Sequence, residues 1–254
     1  MSGLLYKQLR QNRIIFLICA VFPVLMAYPM PGLSYIGMEE DIPAYKAFFL
    51  GITEGAVLRI AFLIFGYIIS TMVLTSAYNG DELKKWVFFC ASTPKGAKGL
   101  VRSKYAMLLI SGILTLAVSA VCDTALCAVV SKITGEKMTS ANMFLLAAFF
   151  IQIIAIAVEP PFTLRFGTKA GNGVKVTVLF GAIFAVIVYL LFGPIPGSFE
   201  DFAESLAVLV ERIAERDVPA WIMPTVAAVS AASFTVSCAV SECGLLKGTE
   251  SYDK

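Results

Sequence analysis

An all-α, polytopic membrane protein is the fold class this sequence predicts, and three observations predict it. Of its 254 residues, 58% are hydrophobic and only 15% are charged, against roughly 45–50% and about 25% in soluble globular domains. Mean hydropathy is +0.82. Apolar runs near the roughly 20 residues that a helix needs to cross the hydrocarbon recur six times with short connections, so residues 1–254 read as one transmembrane domain.

The elements follow in order. Ser2 to Arg13 reads as a short polar helix whose Leu4, Leu5 and Leu9 lie at helical spacing, suited to rest on the inner leaflet. The first span covers Ile14–Ile36. Lys7, Arg10 and Arg13 precede it as in a signal peptide, but the apolar run continues to Ile36 with no clean small-x-small site, so it is read as an uncleaved span. Pro23, Pro29 and Pro31 predict a kinked or unwound outer half. The second span, Ala56–Tyr78, carries Arg59 in its outer turn, placed to snorkel. The third, Tyr105–Val130, carries Asp123 about seven residues from its outer end, roughly 10 Å deep. The fourth, Met143–Pro161, ends at the Glu159-Pro160-Pro161 break; the fifth is Val174–Phe192 and the sixth Trp221–Val240.

Between spans five and six, Phe199, Phe202, Leu206, Leu209, Val210 and Ile213 recur at steps of three and four, opposite Glu200, Asp201, Glu204, Glu211 and Glu215. That pattern predicts an amphipathic helix over the outer mouth of the bundle or on the outer leaflet. The sixth span repeats small residues (Ala227, Ala231, Thr235; Ser233, Ser237, Ser241) at four-residue spacing, which favours close packing either inside the bundle or at a homodimer face.

Basic residues set the expected orientation. With the N-terminus inside, the cytoplasmic pieces hold 14 Lys and Arg and the outer pieces 5. The positive-inside rule then places both termini in the cytoplasm.

Catalytic signatures are missing. There is no histidine, no P-loop ("GTKAGNGVK" lacks its spacing and its Ser/Thr) and no G-x-S-x-G. Cys19, Cys90, Cys122, Cys127, Cys238 and Cys243 show no zinc-like spacing and read as small apolar residues. No enzyme activity, no metal and no bound cofactor are therefore expected of this chain, nor a nucleic-acid partner. Two ionisable residues lie within spans. Asp123 is expected to face the bundle interior, on a substrate path or in a hydrogen bond to Ser119, Thr124 or a neighbouring helix. Glu159 is expected at the interface or paired with Arg165.

The strongest local pattern is the cytoplasmic loop Asn79–Lys104. Asp81 and Glu82 open a short helix, where acids suit the N-terminal dipole. Lys85 follows, with Trp86, Phe88 and Phe89 as apolar side chains in a cytoplasmic segment. Pro94, Gly96 and Gly99 then make a break before Arg102, Ser103, Lys104 and Tyr105 enter the third span. A short aromatic helix held between two spans is suited to dock in a partner's groove, or to lie on the inner leaflet with Lys anchors.

Here the chain resembles the permeases of type-2 ATP-binding-cassette exporters, particularly the small six-helix permeases of Gram-positive bacteria. The resemblance rests on D-E-x-x-x-W (Asp81, Glu82, Trp86), S-x-P (Ser92, Pro94) and S-K-Y (Ser103, Lys104, Tyr105). A second match, P-x-x-x-[KR]-[FY]-G, falls on Pro161, Arg165, Phe166 and Gly167, without the acidic residue that commonly follows in that family. The resemblance implies a second permease copy, two separate ATPase subunits that hold the ATP and magnesium, and a lipid environment, that of a bacterial plasma membrane. It implies that Asp81, Glu82, Lys85, Trp86, Phe89, Pro94, Arg102 and Lys104 form the coupling segment. It also implies export of amphipathic or hydrophobic cargo, including antimicrobial peptides and phenol-soluble modulins. A stand-alone membrane scaffold or channel is the other reading of the residues alone.

Overall fold

The computed structural model describes residues 2–36, 43–75, 96–135, 138, 140–192 and 221–250, and every regular element among them is helical. The coupling residues Asp81, Glu82, Lys85, Trp86, Phe89 and Pro94 lie outside the described residues, as does the outer amphipathic segment 198–217.

The N-terminal third turns on prolines. α1 (Ser2–Gln11) meets α2 (Arg13–Ala27) at Asn12, and α3 (Pro29–Tyr35) resumes after Tyr28. Pro29 stands at the first position of α3, where a missing N–H leaves no helical bond unmade. The outer half of the first apolar run is thus broken at Tyr28 and helical again beyond it, not unwound. Pro23 remains inside α2 against Gly66, where a Cβ would come within 2.6 Å of Pro23 Cα. Leu5 and Leu9 pack against the cluster of Phe16, Cys19, Leu74, Met107 and Leu108. The apolar side of α1 thus docks on the bundle.

α4 (Ala44–Glu54) is a helix between the first and second predicted spans. It bends by 78° into α5 (Ala56–Thr75). Ile52 is 1% exposed, and Phe48 and Phe49 pack against Ala27, Tyr28, Leu63 and Tyr67. Burial of these apolar side chains holds α4 against the bundle. Arg59 does not snorkel; it is 3% exposed and turned into the bundle.

α6 (Gly96–Thr134) has 39 residues, roughly 58 Å at the α-helical rise, so it projects well beyond the hydrocarbon. It starts at Gly96, with φ of 55°, and passes through Gly99, which breaks nothing. Arg102 and Lys104 therefore stand on a helix and not in a loop. α7 (Asn142–Phe166), α8 (Thr168–Phe192) and α9 (Ile222–Glu250) complete the described fold. α7 runs through Pro160 and Pro161 and ends five residues beyond the predicted break. It is the hub, packed on α5, α6, α8 and α9.

Among the described residues, four helices are long and apolar enough to cross a membrane: Arg13–Leu33, Lys98–Thr134, Asn142–Phe166 and Ile222–Gly244. The bent α4–α5 pair makes a fifth if it counts as one span. α8 covers the run predicted as the fifth span. The protein is a multi-pass membrane protein. Its helices are joined by polar contacts as well as by packing: Cys19 Sγ donates to the Ser70 carbonyl (3.3 Å), Ser70 Oγ returns a bond to the Cys19 carbonyl (3.0 Å), and Thr115 Oγ1 reaches the same oxygen (3.4 Å).

Candidate functional site

The segment expected to couple to an ATPase ends in Arg102 and Lys104 near the start of α6, and that start is anchored by apolar burial. Leu100 and Val101 are fully buried and Tyr105 is 2% exposed, packed on Leu164 of α7 and on Phe234 and Cys238 of α9. The Tyr105 and Phe234 rings meet edge to face at 5.1 Å.

Polar contacts then run across this contact from α6 to α9 to α7. Arg102 Nε donates to Glu242 Oε1 at 2.6 Å; the arginine side chain is 57% exposed and the glutamate 15%. Screening makes such a pair weak in stability terms, so its value is registration. Three residues on, Tyr105 Oη lies 2.7 Å from Ser241 Oγ and 2.6 Å from Ser237 Oγ. Ser237 Oγ in turn donates to the Ala157 carbonyl of α7.

Proton counting fixes the direction of this chain. Each hydroxyl has one hydrogen to give, and that of Ser237 goes to Ala157. Tyr105 must then donate to Ser237, and Ser241 donates to Tyr105. The acceptor at the end is no ordinary helix carbonyl. Pro161 has no N–H, so the bond that it would send back to Ala157 is missing. In a lipid-embedded helix that freed carbonyl needs another donor, and Ser237 supplies it. The bond meets the loss that Pro161 causes within a helix that continues to Phe166.

Just beyond, Lys175 Nζ of α8 lies 3.1 Å from Glu159 Oε2. Both residues are buried, 6% and 3% exposed. Glu159 is thus paired with Lys175 and not with Arg165, whose guanidinium lies 5.0 Å over the Phe166 ring. The segment from Pro161 to Lys175, expected to be a loop, is helical except at Gly167, where φ is 89° and ψ 169°. That conformation is open to glycine alone. α8 returns so tightly that a Cβ at Gly171 would overlap the Thr163 hydroxyl.

Asp123 sits elsewhere, in a separate polar cluster. It is fully buried, and it accepts hydrogen bonds from Tyr28 Oη (2.6 Å), Ser140 Oγ (2.9 Å) and the Ala141 N–H (2.8 Å). Neither Ser119 nor Thr124 is among these partners. The Thr124 hydroxyl bonds its own helix at the Ala120 carbonyl. The Arg59 charge acts on Tyr28 and Cys127 in the same region. The structure therefore does not join Asp123 with Glu159 in one path.

The sequence reading quoted Tyr105, Ser237 and Ser241 without linking them, and it missed Glu242 and Tyr28. Glu242 was legible in principle, as an acid one residue after a buried serine in a small-residue helix. Ser230, Ser237 and Ser241 face inward while Ala231 and Thr235 are exposed, so the serine stripe serves packing inside the bundle.

A family model described as ABC-2 family transporter protein matches residues 42–241. The chain belongs to that family. The match spans the second apolar run through α9 and thus takes in Arg102, Tyr105, Glu159 and Ser237 of the site just described. As an ABC-2 permease, it is the membrane domain of a transporter type that generally works with an ATPase subunit. No curated protein and no solved structure matches the chain.

Proposed function

We propose that this ABC-2 permease is the membrane subunit of an ATP-driven exporter of the small six-span Gram-positive kind. In this reading both termini lie in the cytoplasm of the plasma membrane, and two permease copies assemble with two separate ATPase subunits that bind and hydrolyse the ATP. The cargo is an amphipathic or hydrophobic molecule, with peptides as the leading class.

The observation that carries the reading is the hydrogen-bonded chain from the exit of the coupling segment to the proline-weakened turn of α7. A segment moved by an ATPase would pull on Arg102 and Tyr105. The pull would pass through Ser237 to Ala157, whose carbonyl and that of Ile156 are the two successive ones on α7 that the prolines leave without a helical donor. Bending there displaces Glu159 and, through Lys175, α8. Each step uses a contact between neighbouring helices, so movement at the membrane face becomes a change in bundle geometry.

The test is whether a neighbouring reading frame encodes a P-loop ATPase and whether that ATPase co-purifies with the permease. Charged replacement of Trp86 and Phe89 is expected to release the ATPase or to uncouple its turnover while the bundle stays folded. A stable complex with unchanged, substrate-stimulated turnover would remove the coupling role and leave a scaffold or channel. Stimulation of the reconstituted complex by a panel of peptides and lipids reads out the cargo class.

A further inference from the structure

The corner where α7 turns into α8 presents two cations and two rings at the surface. Phe162 and Phe166, four residues apart on one face of α7, are 38% and 61% exposed. Arg165 and Lys169, their neighbours in the chain, are exposed as well. The Arg165 guanidinium lies 5.0 Å over the Phe166 ring. Its stem runs along α9, where a Cβ at Gly244 would stand 3.8 Å from Arg165 Cβ and 3.9 Å from Cδ. Contacts at both ends hold this side chain, so less rotamer freedom remains to be lost on binding.

These cations have no anion of their own. Arg102 meets Glu242 and Lys175 meets Glu159, but no ion pair among the described residues includes Arg165 or Lys169. Depth then decides which anion fits. α7 has 25 residues, about 37 Å at the helical rise, against about 30 Å of hydrocarbon. Its last turn therefore stands at the headgroups, where exposed rings lie against acyl chains and fixed cations meet phosphate. A free phosphate would use the cations and leave the rings in water. An anionic lipid uses both.

We propose that Arg165 and Lys169 bind the phosphodiester of an anionic phospholipid whose acyl chains lie over Phe162 and Phe166. The arginine fork can take two phosphate oxygens, and the lysine adds a point charge. The site needs neither an ATPase nor a cargo, so its failure would leave the exporter reading untouched.

The probe is phosphatidylglycerol with a diazirine on its acyl chain, photolysed with the full-length permease in phosphatidylcholine vesicles and mapped by mass spectrometry. Saturable labelling of the peptide carrying Phe162 and Phe166 is expected, competed by plain phosphatidylglycerol and not by added phosphatidylcholine. Arg165→Gln with Lys169→Gln should raise the half-saturating mole fraction about thirtyfold, and Lys169→Gln alone about fivefold. Where a variant folds poorly, the comparison of the two competing lipids on the unmodified protein decides. Equal competition by phosphatidylcholine would overturn the site, as would an unchanged half-saturation in the double variant. Displacement by soluble glycerol phosphate as readily as by the lipid would make this a site for free phosphate esters instead. Weaker recovery of an ATPase by the double variant, with lipid labelling unchanged, would make the corner a protein contact and equally overturn the proposal.

Discussion

Two buried carboxylates of this permease are held in opposite ways. Asp123 receives three hydrogen bonds from neutral groups, Tyr28 on one side and Ser140 and the Ala141 N–H, neighbours in the chain, on the other. Glu159 faces one cation, Lys175, beside two prolines and close to a cavity that Lys175 also lines. The first arrangement closes a network around a break, since Tyr28 is the residue at which α2 gives way to α3. The second leaves space next to a weakened helix. A charge met by several short dipoles is fixed in place. A charge met by one long side chain can follow that side chain when its helix moves.

Four substitutions would break or sharpen this contrast, from the largest effect to the smallest. Lys175→Met strands the Glu159 charge in the bundle, so folded yield and thermal stability in detergent should fall by about 3–5 kcal/mol. Glu159→Gln added to Lys175→Met should recover most of that loss, because a neutral pair leaves no charge unmet. If the double variant is no better than the single, the pair is not the reason for the loss. Next comes Asp123→Asn. It turns an acceptor into a group that is half donor, facing three donors, at a cost of about 1–3 kcal/mol. Coupled ATP turnover per folded molecule is expected to be unchanged. A folded variant with altered transport would instead put Asp123 on the substrate path.

Ser237→Ala removes the donor to Ala157 and the acceptor of Tyr105. About 1–2 kcal/mol of stability should go, with a drop in transport relative to ATP turnover that Ser237→Thr restores. A loss of stability with transport unaffected would make the chain of hydroxyls a support and nothing more. Smallest is Arg102→Glu. An exposed pair adds little to stability, so the melting temperature should barely move while coupling weakens. Adding Glu242→Arg should bring coupling back. Failure of the swap to do so would place the role of Arg102 in the segment before α6.

The membrane class was legible because composition and run length are summed over many residues and do not depend on any one contact. The family was legible from short motifs around Asp81–Trp86 and Ser103–Tyr105, and the match over residues 42–241 bears out the permease class. What failed to show in the sequence was pairing between helices. Lys175 reads as a loop charge because nothing in a linear pattern reveals that Gly167 turns α8 straight back onto α7. Arg59 reads as a snorkelling residue because the groups near it, Tyr28 between α2 and α3 and Cys127 of α6, are distant in sequence. α4 was hidden for the same reason: Phe48 and Phe49 look like loop aromatics until Tyr28 and Leu63 are beside them. The prolines misled in the opposite direction. Taken locally, Pro160-Pro161 ends a helix; a serine from another span supplies one of the two donors that the pair withholds.

The single-residue joint at Gly167 has a mechanical consequence. Two 25-residue rods meet with no slack between them, and Thr163 and Gly171 touch across the corner. Such an elbow cannot swallow a twist applied to either arm. Torque arriving on α8 must surface at the nearest compliant place on its neighbour, the double-proline turn, and a crank built this way needs no long linker to stay in step.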